Sequence, residues 1–145
     1  MSDTIFPRSP REIMAGWIYL PRLIDKIRLN LAGKLHEDYR PNFLHRGFDV
    51  KWFETTGVDP DEFTALVAAS DTDGQVADWV CHNVNDRLDP AAQSGFNDTV
   101  GNYGSDEVNA DLRSRLAQRK EAAGFGNRND IQCFVDFIDA DEGRL

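Results

Sequence analysis

Apolar residues recur along this chain at helical spacing, and polar residues gather at the breaks between them. Ile13, Trp17, Leu20, Ile24, Ile27 and Leu31 alternate four and three apart, which places them on one face of a helix. The pattern predicts a helix over residues 10–33 as the central element of the fold. Ile18 and Leu29 project close to Arg22 and Asp25, so the opposite face is not simply polar. A helix that is apolar on most sides is buried, and charges on it must be paired. Pro21 interrupts the hydrogen-bond ladder at a cost of about 3 kcal/mol. Because the apolar register runs through it unshifted, a kink is expected there.

Shorter helices follow. Phe63, Leu66 and Val67 fit one, Val76, Trp79 and Val80 another, and Val108, Leu112 and Leu116 a third that ends on Arg119 and Lys120, charges favourable at a helix C-terminus. Ile131, Phe134, Val135 and Ile138 follow the i, i+3, i+4, i+7 rule. This helix is the expected neighbour of the 10–33 helix. Residues 49–56 add one turn or two. Helix starts are written as Ser9-Pro10-Arg11-Glu12, Asp59-Pro60-Asp61-Glu62 and Asp89-Pro90, each a capping residue followed by proline. Gly33, Gly57 and Gly124 stand where helices end. No alternating segment with turn chemistry suggests a hairpin. Residues 34–47 are too polar and broken for a long helix, and residues 94–106 read as a loop after a weak helix. Such loops are where ligand contacts are expected. The pattern gives an all-α fold, a single compact domain over residues 1–145 with about seven helices around the central N-terminal one.

Composition narrows what such a domain does. The 145 residues suffice for one core and not comfortably two. The net charge of −9 argues against binding nucleic acid or an anionic membrane surface. No apolar run is long enough to span a bilayer, and no signal-peptide pattern is visible. Cys81 and Cys133 are isolated, without CxxC spacing, so a reduced, cytoplasmic location is expected and both cysteines are read as core.

Against that acidic background, Arg22, Asp25, Lys26 and Arg28 form the principal candidate site. Two or three cations around one carboxylate suit a small carboxylate or phosphate, with arginine supplying bidentate geometry. Tyr39 and Asn42, in the irregular segment, are placed at the rim as further binding residues. The competing reading is a structural ion-pair network, with Asp136, Asp139, Asp141 and Glu142 capping the cations. In an enzymatic version, a cofactor-free isomerase, lyase or hydrolase, Asp25 is the proton acceptor and Lys26 or Arg28 stabilises developing negative charge. A third reading is an interaction module or homodimer, using Phe43, Leu44 and Phe48 as an exposed contact patch. His36, Asp38, His45 and His82 match no metal-ligand spacing and are read as solvated. No cofactor fingerprint appears.

Arg8-Ser9-Pro10 and the run Leu20-x-Arg22-x-x-Asp25-Lys26-Ile27-Arg28-Leu29-x-x-Ala32-Gly33-Lys34-Leu35 resemble the bacterial DUF5069 domain family, which is uncharacterised. Asp38-Tyr39, Asn42, Gly47-Phe48-Asp49, Gly57-Val58-Asp59, Gly124-Phe125, Asp130-Ile131 and residues 137–143 carry the same resemblance. It implies a stand-alone bacterial domain and supplies no chemistry.

Overall fold

In the computed structural model, which describes residues 4–105 and 109–145, the chain begins with a small antiparallel hairpin and continues as helices. Strand β1 (Ile13–Met14) pairs with β2 (Trp17–Ile18), in the register Ile13 to Ile18 and Met14 to Trp17. Seven α-helices follow among the described residues: α1 (Leu20–Leu31), α2 (Gly47–Thr56), α3 (Pro60–Ala69), α4 (Asp73–Asn83), α5 (Pro90–Gly101), α6 (Ala110–Ala122) and α7 (Phe134–Asp141). Short 3-10 segments occupy Glu37–Asn42 and Asn85–Arg87. The all-α, single-domain expectation therefore holds at the level of architecture. No helix among the described residues is long and apolar enough to cross a membrane.

The expected 10–33 helix is wrong in its first half. It starts at Leu20, and the preceding residues form the hairpin that the apolar spacing did not suggest. Its two-residue turn, Ala15-Gly16, has φ of 52° and 82°. Positive φ at both positions is what the right-handed twist of a hairpin requires. The turn is held by tertiary bonds that no local pattern reveals: Asn85 and Gln93 donate to the Ala15 carbonyl (2.8 and 3.0 Å), and Asn97 donates to that of Gly16 (2.9 Å). Asn97 also accepts from the Ile18 amide, and Asn85 from the Trp17 indole. A Cβ on Gly16 would lie 2.8 Å from the Gln93 amide, so the turn is tight as well as left-handed.

Nor is α1 kinked. Pro21 occupies the first turn, where the missing N–H has no intrahelical partner anyway. Tyr19 precedes the helix at φ 77°, a conformation that L residues adopt at a cost of about 1–3 kcal/mol. From there Leu20, Leu23, Ile24 and Ile27 run fully buried. Burying each is worth about 1.5–3 kcal/mol. Ile13 and Leu31, the two ends of the expected seam, are 66% and 51% exposed.

Elsewhere, two of the three expected helix starts are present and the third is a turn. Asp59 and Asp89 cap α3 and α5, accepting from Glu62 N (3.0 Å) and Ala91 N (2.9 Å). Ser9 instead organises a turn and hydrogen-bonds Asp139. The 49–56 segment is a full helix, α2. The expected loop at 94–106 is mostly the C-terminal part of α5, and Val108 lies outside the described residues. The main core joins α1 to α5 around Trp17, Trp52 and Phe63. A second cluster, Leu116, Ile131, Phe137 and Ala140, joins α6 to α7. The closest helical neighbour of α1 is α3. α7 reaches the main core through Val135.

Candidate functional site

Helical geometry divides the four charged residues of α1 between two faces. Arg22 and Lys26, four apart, stack on one face, and Asp25 and Arg28, three apart, lie on another. The first face points to a cavity of about 1080 Å³. Arg22, Lys26, Tyr39 and Asn42 all line it, together with Tyr19, Arg119 and Glu142. Asp25 and Arg28 are not among its lining residues.

At the floor, Lys26 Nζ donates to Asp49 Oδ1 (3.1 Å) and to the Tyr19 hydroxyl (2.9 Å), which itself donates to the same Asp49 oxygen (2.5 Å). The other Asp49 oxygen accepts from the Leu44 amide at 2.9 Å. Leu44 adopts φ 63° to make that approach. Asp49 is fully buried and Lys26 nearly so. Burial pulls the Lys26 pKa down, with Arg22 adding to the effect and Asp49 opposing it. Burial, reinforced by Asp49, pushes Tyr19 well above the usual phenol.

Beside this trio, Arg22 makes a two-pronged pair with Glu142 (2.9 and 2.6 Å) and donates to the Arg8 carbonyl at 3.1 Å. Glu142 also accepts from the Tyr39 hydroxyl (2.7 Å) and from Arg144. Burial pushes the Glu142 pKa up, but Arg22, Tyr39 and Arg144 outweigh it and hold the carboxyl below the ordinary glutamate value. Burial likewise opposes the charge on Arg22, and Glu142 more than restores it. The Tyr39 ring faces both cations, 5.5 Å from Arg22 and 5.9 Å from Lys26, distances that suit a cation–π contact.

The other face of α1 is a structural lattice. Arg8 reaches Asp25 through its backbone amide (2.9 Å) and guanidinium (2.9 and 3.0 Å), and bridges on to Asp73 (2.8 Å). Arg28 donates to the same Asp73 at 2.5 Å. Burial raises the Asp73 pKa, but these two arginines lower it on balance. Asp25 is thus committed to Arg8 and faces away from the lining. Of the C-terminal acids expected to cap the α1 cations, only Glu142 does. Asp136 and Asp139 take Arg11, and Asp141 lines the cavity.

Asp49 and Arg119 are the site residues that sequence reasoning missed, Asp49 because of the short reading of α2. Tyr19 does line the cavity, brought there by the hairpin and not by the expected helix. Arg119, in the last turn of α6, has its guanidinium 5.7 Å from the Phe137 ring. It forms no ion pair with a carboxylate among the described residues. Phe43, Leu44 and Phe48, expected as an exposed docking patch, pack onto the chain's own core instead. His36 accepts from the Asp38 amide, and His82 sits near Asp86. Among the described residues no group of three or more His, Cys, Asp or Glu is arranged to hold a metal ion.

Residues 4–144 match the family described as a domain of unknown function (DUF5069), and the chain belongs to that family. No curated protein matches it.

Proposed function

We propose that this domain binds a small anionic metabolite, a carboxylate in preference to a phosphate, in the cavity beside Arg22 and Lys26. The observation that carries the proposal is that two buried cations and a third, Arg119, which has no ion pair among the described residues, line one cavity of a chain whose net charge is −9. Arg22 is saturated by Glu142 and carbonyls, so it sets the local field. The contacts fall to Lys26, Arg119 and the Asn42 amide. An ammonium has three hydrogens, and Tyr19 and Asp49 take two of those on Lys26. Glu37, Asp38 and Asp141 also line the cavity and repel a multiply charged anion, which favours a monocarboxylate. Aromatic walls, Phe48, Tyr103 and Phe134 among them, suit an apolar or planar body attached to that group.

Thermal shift with acetate, lactate, pyruvate and inorganic phosphate tests this. A ligand at 100 times its Kd adds about 2.7 kcal/mol of apparent stability. Monocarboxylates are expected to raise the melting temperature more than phosphate does, and Arg119→Gln is expected to remove most of the shift without unfolding the protein. Equal and negligible shifts for all four anions overturn the proposal.

A further inference from the structure

Lys26 and Tyr19 at the cavity floor, with Asp49 directly behind them, form a combination that anion binding does not require: an amine, a phenol and a carboxylate within mutual hydrogen-bond reach, all buried. Lys26 Nζ lies 2.9 Å from the Tyr19 oxygen and 3.1 Å from Asp49 Oδ1. Tyr19 is delivered there by a left-handed backbone conformation, φ 77°, immediately before α1. Strain of this kind persists only where surrounding structure enforces it, and it gathers at functional positions. A leucine or methionine at position 26 would fill such a floor without the cost of burying a charge.

We propose that Lys26 is a nucleophile that forms an imine with the carbonyl carbon of a small α-keto acid, with Tyr19 moving the proton and Asp49 holding the charge. The proposal rests on the carboxylate-binding reading of the same cavity, and it adds the bond-forming atom. Asp49 accepts a proton from the Lys26 ammonium, and the freed amine lone pair attacks the carbonyl carbon. The carbonyl oxygen takes a proton from Tyr19, giving a carbinolamine. Asp49 returns its proton to Tyr19. A second proton, released by the carbinolamine nitrogen through Tyr19, leaves with the hydroxyl as water. The products are the protonated imine on Lys26, the Asp49 carboxylate and one water. Charge is the same at the start and the end, an ammonium beside a carboxylate becoming an iminium beside it, so the buried site never holds an uncompensated charge. Burial, which disfavours the ammonium, favours the nucleophilic form. The substrate's carboxylate is met by Arg119 and Asn42.

Reductive trapping reads this directly. The intact protein is incubated with pyruvate and sodium cyanoborohydride, and adducts are mapped by mass spectrometry over its four lysines, Lys26, Lys34, Lys51 and Lys120. The adduct at Lys26 is expected to exceed that at the exposed Lys34 by about tenfold or more, since exposed amines remain protonated at neutral pH. Tyr19→Phe is expected to slow trapping at Lys26 by about 100-fold, the usual contribution of a positioned proton donor. Lys26→Arg, which keeps the positive charge beside Asp49, is expected to lose that adduct while the others persist. Trapping at Lys34 equal to that at Lys26 overturns the imine, as does an unchanged rate in Tyr19→Phe. If pyruvate raises the melting temperature and leaves no adduct at Lys26, the imine is wrong and carboxylate binding stands. If Lys26 is trapped and no non-carbonyl anion raises the melting temperature, the imine stands and the broader anion reading falls.

Discussion

The two charged faces of α1 are built from the same kinds of residue and do opposite things. On the inner face the side chains of Arg22 and Glu142 are each 4% exposed, and those of Lys26 and Asp49 6% and 0%. On the outer face Arg8, Asp25, Arg28 and Asp73 range from 23% to 37%. Ions already wetted lose little when a partner leaves, because water replaces it. A desolvated ion has no such substitute, so each inner charge depends on its partner for the fold itself. Residue type and spacing therefore say little about a charged cluster until the depth of each member is known.

Removing an inner partner breaks the comparison most severely. Asp49→Ala strands Lys26 and the Leu44 amide, and is expected to cost about 3–5 kcal/mol in urea denaturation. The double change Lys26→Met with Asp49→Leu removes both charges and is expected to recover part of that loss, although the Tyr19 hydroxyl and the Leu44 amide still lack their acceptor. A cost below about 1 kcal/mol for Asp49→Ala would place the inner pair in the same class as the outer one.

Glu142→Gln comes next, at about 1.5–3 kcal/mol, because the amide keeps one hydrogen-bonding oxygen but surrenders the charge facing Arg22. It also carries a pH signature. The folded carboxyl titrates below its unfolded value, so its contribution is fully present above the unfolded value and is lost as pH falls through the folded one. The acid side of a stability–pH profile should therefore be shallower in Glu142→Gln than in the parent chain.

The smallest effect belongs to the outer lattice. Asp73→Asn leaves Arg8 bound to Asp25 and Arg28 partly solvated, for an expected loss of about 0.5–1 kcal/mol. High salt should shrink that loss and leave the Asp49→Ala loss almost unchanged, since screening acts on exposed charges. The same salt response in both variants would show that the two faces do not differ in solvation.

How far the chain could be read in advance follows from where each determinant lies. Asp59 and Asp89 act on amides two or three residues away, so those helix starts were visible in the sequence. The partners of the hairpin lie 70, 78 and 81 residues away in Asn85, Gln93 and Asn97, and apolar spacing across 13–31 imitates a continuous helix. The charged cluster lies on α1, but its members divide between two faces that residue spacing alone had grouped together. Arg22 and Lys26 belong with Tyr39 and Asn42 around the cavity, whereas Asp25 and Arg28 belong with Arg8. Asp49 stood within the family resemblance but carried no sign of its depth, because a helix written Gly-Phe-Asp-Val presents its aspartate like any solvated first-turn acid.

The Arg22–Glu142 pair spans 120 residues of chain. A ribosome adding about 5–20 residues per second needs roughly 6–24 s to make that much protein. For all of that interval the arginine that the finished fold buries has no carboxylate to meet, and Lys26 acquires Asp49 long before. The partners on the Lys26 side are therefore all available while the nascent chain is still growing, and the Arg22 side waits for Glu142 to emerge.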